Sequence, residues 1–156
     1  AQNTQVVITT HSSTIVKELE FNNIRLIQDN ATNKAVKTIV RRYLPSPSLN
    51  EVNYLTFDEI SLEYHDELFG YLETKARDED GVSGQSNFDN WLKSKSSGYP
   101  TKEYIDNRNN SHHDYTLSMY IRNRVHHPEN TNNSVETIEE IKQSIEAMQN
   151  VISTLV

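Results

Sequence analysis

The sequence predicts an α+β protein in two parts, a short β-containing segment followed by an all-α helical bundle. Three observations carry that reading. Apolar residues recur with period two up to about residue 40 and with period 3.6 from Phe57 onward. Between the two regimes lies "LPSPSLN", with two prolines and two serines in seven residues, a composition that interrupts regular structure. Near the C-terminus Ile138, Ile141, Ile145, Met148, Ile152 and Leu155 repeat at spacings of 3, 4, 3, 4 and 3, the stripe of a helix buried along one side. The expected organisation is residues 1–44, a linker at 45–53, and a helical domain at 54–156.

The elements follow in order. Val6, Val7 and Ile8 are an unbroken β-branched run and read as a buried strand, apolar on both faces. Ser12 or Ser13 then N-caps a short helix, "TIVKELE". "NIRLIQD" and "AVKTIVRRY" alternate as strands, with Ile24, Leu26 and Gln28 on one face of the first and Val36, Thr38 and Val40 on one face of the second. "DNATNK" between them supplies turn residues, so the pair reads as a hairpin. After the linker, Ile60, Tyr64, Leu68, Tyr71 and Leu72 make one stripe and acids take the other side. "RDEDGVSGQS" reads as a loop, "NFDNWLKS" as a short helix, and "SSGYPTKEYIDNRNNSHHD" as a second polar loop. Asp114 is placed to cap a helix from Tyr115 that carries Leu117, Ile121 and Val125.

Composition narrows the function. Only 35% of the 156 residues are hydrophobic and the mean hydropathy is −0.73, so the core is modest and the surface wet. No apolar run approaches the ~20 residues of a membrane span and no signal-peptide pattern is visible, so no membrane partner is expected and a cytoplasmic protein is. The absence of cysteine removes disulfides and thiolate metal sites. The chain opens on Ala1 without a methionine, as a processed or bounded chain would. The net charge of −7 argues against wholesale coating of nucleic acid, yet the charges are segregated. Residues 58–80 hold nine acids against Lys75 and Arg77, whereas residues 93–127 hold six Lys or Arg against three acids, with four of the six histidines.

That basic window contains "YIRNRVHHPEN". A helix over 115–126 puts Arg122 and His126 on one face. His127 precedes Pro128, which pushes it out of helical geometry, so its ring can swing toward Arg122 and Asn123 at the helix end. A histidine can take the proton of an RNA 2′-hydroxyl or donate one to the leaving 5′-oxygen, and an arginine can hold the phosphate. No metal is needed for such chemistry, because RNA supplies its own nucleophile. Two plainer readings stand beside this one. Arg122 with His126 or His127 could pair with Glu129 or Glu67 and tie helices together, or His112, His113, Asp114, His126 and His127 could bind a metal, although H-H pairs have no defined ligand spacing.

Two resemblances sharpen the picture. "RNRVHH", as Arg122-x4-His127 with a polar Asn123 after the arginine, resembles the R-x4-6-H motif of HEPN-domain ribonucleases. That resemblance, over roughly residues 54–156, implies a helical bundle acting as a homodimer that cuts RNA without metal, in toxin and antiphage systems. Catalysis would fall to Arg122, Asn123 and His127, with His126 as the reserve histidine. "VVITTHSS" resembles the last core strand and switch-histidine loop of ABC-type ATPases of the RecF, SMC and OLD kind. It implies that residues 1–44 are the C-terminal fragment of such an ATPase, with His11 reaching the ATP γ-phosphate and ATP and Mg held by the rest of the ATPase. None of the four glycines fits G-x-x-x-x-G-K-[ST], and no apolar strand ends in Asp-Glu, so this chain is not expected to bind ATP by itself. Two functions follow as expectations: a metal-independent endoribonuclease module coupled to an ABC-type ATPase, or a non-catalytic helical module for assembly or partner binding.

Overall fold

The hairpin that the alternating residues predict is present. β1 (Arg25–Asp29) pairs antiparallel with β2 (Lys34–Thr38), in a register that sets Leu26 opposite Lys37 and Ile27 opposite Val36. The computed structural model describes residues 5–29, 32–39, 43–46 and 48–155. Among them the chain has six α-helices and two two-stranded antiparallel sheets, a mixed α+β composition. It divides into two units, Ala1–Glu59 and Ile60–Val156.

The first unit holds α1 (Ser13–Lys17), a 3-10 turn at Phe21–Asn23, the hairpin, and α2 (Leu49–Phe57). Ser12 is the N-cap of α1, as expected, although its side chain makes no capping hydrogen bond. Its buried apolar cluster is Val16, Ile24, Ile39 and Val52, with Leu55 packed against it. One expectation changes here. At the end of the proline-serine stretch Ser48 Oγ caps α2 by accepting from the Glu51 N–H at 2.9 Å, and the buried Glu51 carboxylate accepts from the Tyr43 and Leu44 N–H groups. The division falls after Glu59, so residues 54–59 fall in the first unit. Val6, Val7 and Ile8 are not a strand and are 73%, 80% and 63% exposed. A strand apolar on both faces needs a sheet covered on both sides, and the sheet described in this unit is the hairpin alone. Val40 lies outside the described residues.

The second unit is not all-α. α3 (Leu62–Asp80), α4 (Gln85–Lys95), α5 (Leu117–His126) and α6 (Ile138–Thr154) surround a hairpin of β3 (Thr101–Ile105) and β4 (His112–Thr116). The stretch expected to be a polar loop thus contains two strands. Their inward face carries Lys102, Tyr104, His113 and Tyr115, and their outward face carries the exposed Glu103, His112 and Asp114. Tyr104 packs edge-on against Tyr120, and the Lys102 ammonium lies 4.4 Å from the Tyr120 ring centre while bonding Glu140 at 2.5 Å. An inward set that includes a lysine and a histidine hides the alternation, because both bury their stems and keep polar tips.

Helix ends explain the remaining shifts. α3 runs four residues into the expected loop and stops where Gly81 takes φ 66°, a left-handed conformation that lets the Val82 N–H reach the Ala76 carbonyl. Asp114 lies in β4, and the cap of α5 is Thr116, whose hydroxyl accepts from the Met119 N–H. α6 begins with a reciprocal box in which Thr137 Oγ1 accepts from the Glu140 N–H and Glu140 accepts from the Thr137 N–H. Its stripe packs against α3 and α5, with Ile141, Ile145, Met148 and Ile152 buried, whereas Ile138 is exposed and Leu155 partly so. Burying each such side chain contributes roughly 1.5–3 kcal/mol. No helix among the described residues is long and apolar enough to cross a membrane.

Candidate functional site

The site begins with a buried acid at the start of its helix. Asp89 on α4 accepts from both the backbone N–H and the hydroxyl of Thr116, at 2.8 and 2.7 Å, and pairs with Lys93 at 2.9 Å. This fixes the first turn of α5. Leu117, Met119, Tyr120 and Ile121 then hold the helix in the core. At the other end the His127 N–H still bonds the Asn123 carbonyl at 2.9 Å, but His127 has φ −126° and ψ 60° and leaves the helix. Pro128 is the cause, since its ring disfavours helical geometry in the residue before it.

Arg122 is half-buried, and its guanidinium donates to Asn123 Oδ1 at 3.3 Å. Asn123 is only 4% exposed, so its side chain serves the arginine; it makes no described hydrogen bond to a histidine. His126 is exposed in the last turn beside Arg124, whose Nε is buried with no hydrogen-bond partner among the described residues. The His127 side chain is half exposed, and its Nδ1 lies 3.3 Å from Glu129 Oε1. His127 lies five positions after Arg122, about 7.5 Å along a helix axis. The side chains of Arg122 and Asn123 are thus joined, as are those of His127 and Glu129, and no side-chain hydrogen bond among the described residues links the two pairs. His127 thus meets the Glu129 partner named in one of the plainer readings of the motif, but not in the role given to it there. The pair spans two residues of one turn and ties no helices together.

The loop after the site is tightly held. Asn130 donates to the Tyr104 hydroxyl at 3.1 Å and to the Ile105 carbonyl at 2.8 Å. Asn133 accepts from the Ile105 N–H and donates to its carbonyl, at 2.9 and 3.0 Å, and Tyr120 donates to the Ser134 carbonyl at 2.7 Å. The histidines of β4 do not join this end. His112 pairs with Glu103 at 3.0 Å on the outer face, and His113 stacks on Tyr115 on the inner one, because neighbours in a strand point to opposite sides. Among the described residues no group of three or more His, Asp or Glu could hold a metal ion.

His11 belongs to the first unit and is exposed just ahead of α1. Phosphate cradles rely on glycine backbone, and all four glycines lie in the second unit.

Sequence reasoning missed a polar chain through the second unit's core. His65 on α3, Ser144 on α6 and Ser118 on α5 are fully buried, and Tyr99 nearly so. Tyr99 Oη lies 2.8 Å from Ser118 Oγ, which lies 2.6 Å from Ser144 Oγ, which lies 3.0 Å from His65 Nε2; Asp66 Oδ1 is 3.4 Å from His65 Nδ1. A carboxylate accepts only, so a neutral His65 with Nδ1–H toward Asp66 leaves Nε2 to accept from Ser144, an arrangement in which the hydroxyls can all donate in one direction, from Tyr99 toward His65. Burial pushes the Tyr99 phenol well above its ordinary value, which keeps it a donor. Carboxylate, imidazole and hydroxyl in this order also describe an activated serine, but Ser144 has no accessible surface and shares its hydroxyl with Ser118. The chain locks three helices and a loop into one register. No local signal announces it, because His65 and Ser144 are 79 residues apart.

Among known proteins, no family model, no curated protein and no solved structure matches the chain.

Proposed function

We propose that the second unit is a metal-independent endoribonuclease module of HEPN-like kind, acting at the C-terminal end of α5 and as a homodimer. The observation that carries this reading is a half-exposed imidazole, His127, turned off the helix end that also carries the oriented guanidinium of Arg122. His127 Nε2 takes the proton of an RNA 2′-hydroxyl, and the 2′-oxygen bonds to phosphorus. The P–O5′ bond breaks with its electron pair going to the 5′-oxygen, which takes a proton from solvent, and the imidazolium returns its own to solvent. Arg122 holds the phosphate as charge builds on it, and Asn123 keeps the guanidinium in place. His126 is the reserve base. In the same proposal, residues 1–44 come from an ABC-type ATPase that supplies ATP and Mg binding from other parts of its chain, with His11 toward the γ-phosphate, in a cytoplasmic defence or toxin role.

The test is incubation of the full chain with cellular RNA in EDTA, which should leave cyclic phosphate ends. Arg122→Ala and His127→Ala should each slow cleavage ~10²-fold or more, the scale of losing a general acid or base. Folded variants that cut at the parent rate would move any nuclease elsewhere. A second reading, a non-catalytic assembly module, draws on one observation: Val6, Val7, Ile8, Ile27 and Val36 of the first unit are all exposed. A parent that never cuts RNA leaves that reading in place.

A further inference from the structure

The turn after α5 brings a carboxylate to the imidazole from two residues away. His127, Pro128, Glu129 and Asn130 form a β-turn closed by the Asn130 N–H on the His127 carbonyl at 3.0 Å. Proline in its second position supplies the φ such a turn needs. Asn130, the last residue, is only 1% exposed, and its amide is anchored on Tyr104 and Ile105 of β3. The turn is thus tied at both ends, to α5 through the His127 N–H and to the hairpin through Asn130. Glu129, at the third position, reaches back to His127 Nδ1 at 3.3 Å. An exposed pair of this kind is weak when both side chains wander. Here the backbone between them is fixed.

We propose that Glu129 is a positioning residue for His127, and that the Pro128 turn with its Asn130 anchor holds its carboxylate where it fixes the imidazole as the Nδ1–H tautomer. A carboxylate can only accept, so the ring nitrogen facing it must donate. The lone pair is then on Nε2, the nitrogen turned away from Glu129, as a base for the RNA 2′-hydroxyl requires. The catalytic use of that lone pair rests on the ribonuclease reading; the tautomer does not.

Nitrogen NMR of the full chain with labelled histidine reads the tautomer directly, with the His127 signals assigned by their loss in His127→Asn. The parent should show His127 protonated on Nδ1. Glu129→Ala should shift it toward the Nε2–H form that a free imidazole favours, whereas Glu129→Gln, which keeps a carbonyl acceptor, should preserve it. Pro128→Gly should shift it partway. An Nε2–H ring in the parent, or an unchanged ring in Glu129→Ala, overturns the proposal. In RNA cleavage, Glu129→Ala should lower kcat and leave KM unchanged; a loss confined to KM would make Glu129 a substrate contact and overturn the positioning role. If the parent cuts no RNA, the ribonuclease reading falls and the tautomer measurement still decides the role of Glu129.

Discussion

The two units of the chain spend their apolar residues in opposite ways. Among the described residues of Ala1–Glu59, five apolar residues are buried and nine large ones are exposed. Among the described residues of Ile60–Val156, nineteen are buried and, of the large ones, only Val135 and Ile138 are exposed. A unit of about 60 residues buries too small a share of its surface to be robust alone. The second unit has a core large enough to hold a polar chain inside it, and the candidate site grows from that rigid support. The lesson is that chemistry on this chain is best sought where side chains are held, and association where they are left uncovered.

The sharpest way to break that contrast is to place one charge in each unit. Ile145 is fully buried in the stripe of α6, so Ile145→Asp should cost on the order of 3 kcal/mol or more by burying an unpaired carboxylate. Ile27 is exposed on β1, and Ile27→Asp should stay within about 0.5 kcal/mol. Thermal melting of the full chain reads both. Equal losses would mean that the apolar face of the hairpin is covered in solution, and an unaffected Ile145→Asp would mean that the α6 stripe faces water.

A hydroxyl deletion tests the same contrast more gently. Tyr99→Phe removes the first donor of the chain that runs through Ser118 and Ser144 to His65. The Ser118 oxygen then loses its buried donor, at a cost of about 1 kcal/mol. Thr38→Val, at an exposed position of β2, should change stability by less than about 0.5 kcal/mol. If Tyr99→Phe melts with the parent, the polar chain contributes no register to the bundle.

What was legible follows from how local each signal was. The α6 stripe and the β1–β2 hairpin repeat within a few residues, and both are where the sequence puts them. The Val6–Ile8 run has strand chemistry but no partner strand among the described residues, so propensity alone could not place it. The β3–β4 hairpin escaped because its inward residues are Lys102, Tyr104, His113 and Tyr115, which read as polar, although Thr101, Tyr104, Ile105, Tyr115 and Thr116 are good strand formers flanking an Asp-Asn turn. Asp114 looked like a cap because it precedes the helix, yet β4 stays paired through Thr116, so α5 begins only at Leu117 and Asp114 lies in the strand. At the site, the departure of His127 from the helix was readable from Pro128. The inward course of Asn123 toward Arg122 and the reach of Glu129 to His127 depend on tertiary packing and turn closure, which no spacing records.

The smallest expected effect lies at the tip of that missed hairpin. Asp106 accepts from the Arg108 N–H at 2.8 Å and from its guanidinium at 3.2 and 2.9 Å. These bonds, the side-chain one first, pull the Asp106 carboxyl down to about 2, from 3.8 in a free chain. A depressed carboxyl stabilises the folded form above its unfolded value, and that contribution fades as pH falls from 3.8 through about 2. The hairpin tip should therefore loosen only in strong acid, with a small effect because the pair is open to solvent. Carboxyl-carbon NMR should find Asp106 titrating low in the parent. In Arg108→Ala it should rise only part of the way to 3.8, since the backbone N–H of residue 108 still donates. A return all the way would mean that the guanidinium alone holds the tip, and an ordinary Asp106 in the parent would mean that the tip is no better fixed than the surface of the first unit.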